Sequence, residues 1–356
     1  MTFFITAAFS SVSSFVIAQT FSGGIVSLVI CSDNTVKSFG SWKLGNGTKD
    51  KSPVPVKVPG ITNAKSVATT YGGEQLVLLS DGTVMAWGEK DVLIPQKVSS
   101  LTDVKAVARG IHSVALKNDG TVWCWGYNKD GELGRGHNKE SYTPEQVPGL
   151  TDVIAISAES YTTLALKSDG TVWSWGRGKE GQLGNGKNKT SNVPVQVLGL
   201  TDVVAIAGGS PNGIAIKKDG TVWIWGWGAD GRLGDGKTKN VNTPIQITSL
   251  TDIVAAASGN THSLFLKKDG TVWACGNNSK GQLGDGTTEN RGIPVQVKGL
   301  TGIIAISCGY DHSMALKDDG TLWVFGNNQW GQLGIGETKF SETPVKISDL
   351  CPVKIK

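Results

Sequence analysis

The chain has 356 residues, a formal net charge of +4, 39% apolar and 18% charged residues, 48 Gly and 12 Trp. So small a charge on so long a chain gives no ground for a nucleic-acid partner, and the apolar share suffices for a large core. The glycine content fits an all-β protein with many tight turns.

In chain order, residues 1–18 run from Phe3-Phe4-Ile5 through a Ser-rich stretch to Phe15-Val16-Ile17-Ala18. This segment reads as an export leader, with Val16 and Ala18 as the small residues ahead of a cleavage site. No Lys or Arg precedes its apolar run, so an extra strand or an arm is the competing reading. Its length and interrupting serines argue against a membrane span. The expectation is a signal peptide over 1–18 and one domain over 19–356.

From there the phrase Asp-Gly-Thr-Val, or a close variant, recurs at Asp33, Asp81, Asp119, Asp169, Asp219, Asp269 and Asp319, the last four intervals being fifty residues each. A period of that length marks one supersecondary unit copied until a continuous core closes. In residues 200–250, Val203 to Ala207 is β-prone and Gly213-Ile214-Ala215-Ile216 leads to Asp219-Gly220. The chain returns through Val222-Trp223-Ile224-Trp225, makes a Gly-rich excursion over Gly231 to Gly236, and re-enters at Pro244-Ile245-Gln246-Ile247. Four strands result, with a type I′ turn expected at Asp-Gly. Because Val222-Trp223-Ile224-Trp225 is apolar on both alternating faces, it is expected to be buried on both sides. Seven such sheets closing radially make a β-propeller.

The second copy is abridged: Trp87-Gly88 runs to Val98 without a Gly-x-Leu-Gly segment, which predicts a low sector of the rim. The first copy lacks an opening strand ahead of Ser27 to Cys31, whereas Leu350-Cys351-Pro352-Val353-Lys354-Ile355 aligns with Leu200 to Ala205. The C-terminal strand is therefore expected to complete the first blade and remove an exposed edge. That pairing sets Cys351 within about a residue of Cys31, so a disulfide and two free strand thiols both stand as readings. The other cysteines, Cys124, Cys275 and Cys308, show no Cys-x-x-Cys spacing and read as buried thiols.

The motif of a Gly shortly before His-Ser, then Ala-Leu-Lys-x-Asp-Gly-Thr-Val-Trp-x-Trp-Gly, then Gly-Gln-Leu-Gly, stands at His112-Ser113 with Ala115 to Gly126. It returns at His262-Ser263, at His312-Ser313 and at Gly181 to Gly184, Gly281 to Gly284 and Gly331 to Gly334. It resembles the repeat of the regulator of chromosome condensation family, and the resemblance implies a seven-bladed propeller. It constrains function little, since that family includes nucleotide-exchange factors, a light receptor and secreted bacterial inhibitors. The light receptor carries tryptophans in the loop before the central strand, where this chain has none, which argues against photoreception.

Alternating strands place the Asp-Gly turns and the Gly-Leu-Thr connections on one face, where the copies barely differ. On the other face the loops diverge: Gly73-Glu74, Arg109-Gly110-Ile111, Glu159-Ser160-Tyr161, Ser210-Pro211-Asn212, Gly259-Asn260-Thr261 and Gly309-Tyr310-Asp311. Divergent loops on near-identical units are what a displayed binding surface requires, and neutral drift is the alternative. The candidate contacts are Arg109, Tyr161, Asn212, Tyr310 and Asp311 from these loops, with Tyr127, Arg177, Trp227, Arg232 and Trp330 from the excursions. Aromatic and Arg side chains are the usual anchors of protein interfaces.

No catalytic or metal motif rises above the repeat. His112, His262 and His312 share one repeat position occupied elsewhere by Val26, Glu74, Thr162 and Asn212, so hydrogen-bonding roles are expected over metal ligation. The Gly-Gln-Leu-Gly-Asp-Gly segments lack the Lys-Ser/Thr and following helix of a phosphate loop. The expectation is an exported, monomeric, non-enzymatic scaffold without cofactor or metal, binding a protein or cell-surface macromolecule. A cytosolic regulatory factor is the second reading and an enzyme with a loop-assembled site the third.

Overall fold

The computed structural model describes residues 20–71, 73–208, 211–337 and 339–355, so the leader over residues 1–18 lies outside the described residues. Seven antiparallel sheets of four strands each follow one another in sequence order. The fourth blade is typical, with strands Val153–Glu159, Thr162–Lys167, Val172–Gly176 and Ser191–Gln196. First strands of adjacent blades meet around a narrow channel lined by Ala106, Ala155, Ala205, Ala255 and Ala305. Small side chains are what converging strands leave room for.

The core lies between blades. Leu116 and Val122 of the third blade pack with Ala165 and Trp175 of the fourth, and Leu133 of the third blade's excursion closes the same cluster. Full burial of a leucine such as Leu133, which has 0% exposure, contributes about 2 kcal/mol. The second alternating face is less enclosed than the sequence implies. Trp225 is fully buried while Trp223 is only half-buried, and the Lys217 ammonium stands 4.6 Å from the Trp223 ring centre.

The Asp-Gly hairpins differ from the expected I′ form. Gly120 has φ +81° whereas Asp119 is not among the positive-φ residues. Lys117 accepts from Gly120 N at 3.1 Å and donates to Thr121 O at 3.0 Å, the pattern of a three-residue loop closing on a left-handed glycine. Asp119 stays out of that region because its Oδ1 accepts both the N–H and the hydroxyl of Thr121, at 2.9 and 2.7 Å. This Asx-type bond explains the invariance of Asp-x-Thr in the phrase.

Both ends of the described chain complete the first blade. Val353 bridges Cys31 in antiparallel register, with Ser32 N donating to Pro352 O and Lys354 N to Ile30 O at 2.9 and 3.0 Å. The expectation of an empty inner position ahead of Ser27 is corrected in one respect. Phe21–Ser22 pairs with Val29 and Leu28, because Phe21 finds a buried place beside Val29 and Val353. Cys31 and Cys351 form a disulfide across this seam, Cα atoms 5.6 Å apart and 320 residues apart in sequence. Cys124, Cys275 and Cys308 are free and buried.

Candidate binding face

The variable face is held to the ring by one repeated device. In each full blade the excursion carries a buried leucine, at Leu44, Leu133, Leu183, Leu233, Leu283 and Leu333, and all but Leu183 cluster with core residues of the next blade. The carbonyl just before it accepts from that blade. Trp87, Trp175 and Trp225 donate their indole N–H to Lys43, Glu132 and Gln182 at 3.1, 2.8 and 2.8 Å. Ser263, Ser313 and Ser27 donate their hydroxyls to Arg232, Gln282 and Gln332 at 3.1, 2.7 and 2.8 Å.

The histidines join this device. His262 Nε2 lies 2.9 Å from Ser313 Oγ, His312 Nε2 lies 3.2 Å from Ser27 Oγ, and His112 Nε2 lies 2.5 Å from Thr163 Oγ1. Since Ser313 and Ser27 spend their single hydroxyl hydrogen on a carbonyl, the imidazole Nε2–H must donate to them. Burial holds all three rings neutral, pushing each pKa down to about 3. Glycine before each ring is a steric necessity at Gly259, where a Cβ would stand 2.7 Å from His262 Cε1. Among the described residues no group of three or more His, Cys, Asp or Glu is gathered as metal ligands would be.

Blade two breaks the pattern. Its outer strand is only Gln96–Lys97, and no leucine-bearing excursion reaches the third blade. Glu74, at the histidine position, takes over: its Oε2 accepts from Ser113 Oγ at 2.7 Å and Trp125 Nε1 at 2.9 Å. One carboxylate thus replaces the imidazole of its own blade and the missing carbonyl. Beside it opens a cleft of about 450 Å³ walled by Tyr71, Tyr127, Tyr142 and Tyr161, with Trp125 and Arg109 deeper in. Arg109 is 6% exposed; it donates Nε to Glu74 O and Nη1 to Gly110 O at 2.9 and 2.6 Å.

Most of the predicted contacts gather on this face in aromatic pairs. Tyr127 meets Tyr161 edge-on with ring centres 6.2 Å apart, and the Arg177 guanidinium lies 5.6 Å from the Tyr161 ring while pairing with Glu180. Tyr310 meets Tyr71 with ring centres 4.6 Å apart and planes tilted by 36°. Trp330 meets Trp42 across the seventh and first blades at 5.6 Å. The Arg232 guanidinium lies 4.6 Å from the exposed Trp227 ring. Asp311 accepts from Thr261 Oγ1 at 2.9 Å, and burial raises its pKa above the usual carboxylate value.

Three predicted contacts do not present themselves to solvent. Asn212 is fully buried at the histidine position, its amide donating to Ser263 Oγ at 3.4 Å. Arg232 is buried because its guanidinium ties Ala229 O, Asn260 O and Asp230 together. Arg109 is buried except toward the cleft. Conversely Tyr71, Trp42 and Tyr142, all more than half exposed at 55%, fall outside the predicted set. Tyr71 sits two residues ahead of the divergent Gly73-Glu74 loop, Trp42 opens the first copy's excursion just after Gly40, and Tyr142 lies in an outer strand whose sequence reads as framework.

Among the described residues no helix is long and apolar enough to cross a membrane. The chain is 34% identical over 147 residues to the human E3 ubiquitin-protein ligase HERC2, covering 36% of this chain and 3% of that protein. It is 32% identical over 155 residues to the mitochondrial RCC1 domain-containing protein RUG3 of Arabidopsis thaliana, covering 38% and 35%. The chain thus spans no more than about a third of either relative's length. Human WBSCR16 superposes with a TM-score of 0.75 at 25% identity over 85% of this chain and 86% of that one. Prp20p of Saccharomyces cerevisiae, described for its binding to Gsp1p and histones, superposes at 0.78 with 23% identity over 94% and 88%, a likeness of fold. The family model of the RCC1-like domain matches residues 89–356, three quarters of the chain including five complete blades, and this chain belongs to the RCC1-like domain family.

Proposed function

We propose that the chain is an exported, non-enzymatic binding scaffold that recognises a protein through the variable face of its ring. The observation that carries this reading is the contrast between the two faces. The Asp-x-Thr turn repeats with the same two hydrogen bonds at Asp119, Asp169, Asp219, Asp269 and Asp319. The opposite rim carries tyrosine and tryptophan pairs that differ from blade to blade. Rigid aromatic side chains on a fixed frame supply contact area at low entropic cost.

The family relationship supports protein recognition, since Prp20p, a protein of the same fold, is described as binding Gsp1p and histones. The Cys31–Cys351 disulfide supports an oxidising compartment, as bridges persist outside the cytosol. The test is affinity capture with the purified ring beside a variant with Tyr161, Trp227, Tyr310 and Trp330 changed to Ala. Partners recovered by the ring and lost by the variant are expected; equal recovery by both removes the face from consideration.

A further inference from the structure

We propose that the cleft at the abridged second blade is a socket for a glycine-rich, leucine-bearing turn of the partner protein, which completes the ring's seventh interblade junction. The proposal rests on the reading of this face as a protein-binding surface and adds to it the position and chemistry of one anchor.

The other six junctions define what fits. Each receives a turn in which a buried leucine follows a carbonyl that faces the next blade's Trp, Ser or Cys. The turn's first glycine lies against the next outer strand: Gly131 and Gly281 leave no room for a Cβ beside Asn192 and Glu342. A second glycine lies on the next blade's ring, as Gly184 does on Trp225 and Gly334 on Phe39.

At the remaining junction the same three surfaces are present without the turn. Trp125 and Ser113 line the cleft, and Tyr142 stands at the outer-strand position equivalent to Asn192. Tyr142 is 55% exposed where turn glycines cover its counterparts. Glu74 satisfies the two donors, so the chain is stable unoccupied, yet it leaves the space open. Arg109 supplies an independent sign of a ligand. Its Nη2, beside Gly73 at the cleft wall, has no ion-pair or hydrogen-bond partner among the described residues, which suits the carbonyl-rich outside of a tight turn.

The probe is a backbone-cyclised peptide with the sequence of residues 128–137, whose ends are already brought together in the ring by Asn128 Nδ2 donating to His137 O at 2.9 Å. It is titrated into the full chain by calorimetry, beside the same peptide carrying Leu133→Asp. Binding at least ten-fold tighter for the leucine peptide is expected. It should weaken at least five-fold in Tyr142→Ala, and vanish in a chain whose residues 89–95 are replaced by the sequence of residues 127–144. Equal affinity for both peptides, no saturation up to about 1 mM, or binding unchanged in the two variants overturns the socket. Partner capture lost in the four-residue face variant but unaffected by the graft would overturn the socket alone and leave the binding face standing.

Discussion

Glu74 accepts the indole N–H of Trp125 at 2.9 Å, a side-chain carboxylate doing at one junction what a backbone carbonyl does for Trp87, Trp175 and Trp225. The same oxygen holds Ser113. Glu74→Ala therefore leaves two donors without their acceptor, and a loss of about 2–3 kcal/mol is expected. Glu74→Gln keeps a carbonyl oxygen and should lose less than half as much. Urea unfolding followed by the chain's tryptophan fluorescence measures both; an Ala variant within about 0.5 kcal/mol of the parent contradicts the assignment.

Glu132 marks a place where the chain departs from its own repeat to its cost. Gln182, Gln282 and Gln332 accept a backbone N–H two residues earlier, as Glu132 does from Asp130 at 2.9 Å. Burial raises the Glu132 carboxyl to about 7. A carboxyl raised in the fold stabilises below its unfolded pKa near 4.5, and that contribution is lost as pH rises through about 7. Glu132→Gln should thus gain stability at pH 8, by up to about 3 kcal/mol, and little at pH 4. A gain of equal size at both pH values would show that ionisation is not the cause.

The three buried imidazoles give the opposite slope. Their folded pKa, about 3, lies below the unfolded value, so the unfolded chain binds more protons between about pH 3 and 6.5. Stability is full above about 6.5 and falls as the medium is acidified, by about 1.4 kcal/mol per pH unit per histidine. His262→Asn, which copies Asn212 and its bond to Ser263, should fold at pH 7 and remove one such increment from the acid slope. An unchanged slope in urea midpoints between pH 6 and 4 refutes it.

Breaking the seam at Cys31–Cys351 frees a closed loop of 320 residues. Chain entropy sets the loss at up to about 5–6 kcal/mol. Cys31→Ser should lower the melting temperature, and reductant should bring the parent down to the same value. A parent whose melting is indifferent to reductant, with two alkylatable thiols by intact mass, shows the bridge absent in solution.

Blade number, strand order and face assignment are legible because each rests on local signals: Asp-Gly phrases, alternating apolar strands and loop lengths that repeat within the chain. The Asp-Gly turn departs from the expected I′ form because the bonds that Thr121 donates to the Asp119 carboxylate are a competing local interaction. The site is legible only in part. Tyr127, Tyr161 and Tyr310 follow from loop position, but which rings meet, Tyr71 with Tyr310 and Tyr127 with Tyr161, is set across blades by the closing of the ring. Nothing in the sequence shows that Asn212 turns inward to Ser263 or that Glu74 reaches Trp125. Those contacts join residues about fifty apart that only the blade-to-blade rotation brings together.

A main-chain carbonyl is blind to the side chain that precedes the leucine, and at the six full junctions that residue is variously Lys43, Glu132, Gln182, Arg232, Gln282 or Gln332. Substitutions at those tips leave that one carbonyl bond in place, whatever else the side chain does within its own loop. At blade two the attachment is itself a side chain, so that freedom is withdrawn. Glu74 is where altering the rim's sequence removes the interblade bond itself, and a change of specificity in that sector has to be made around it.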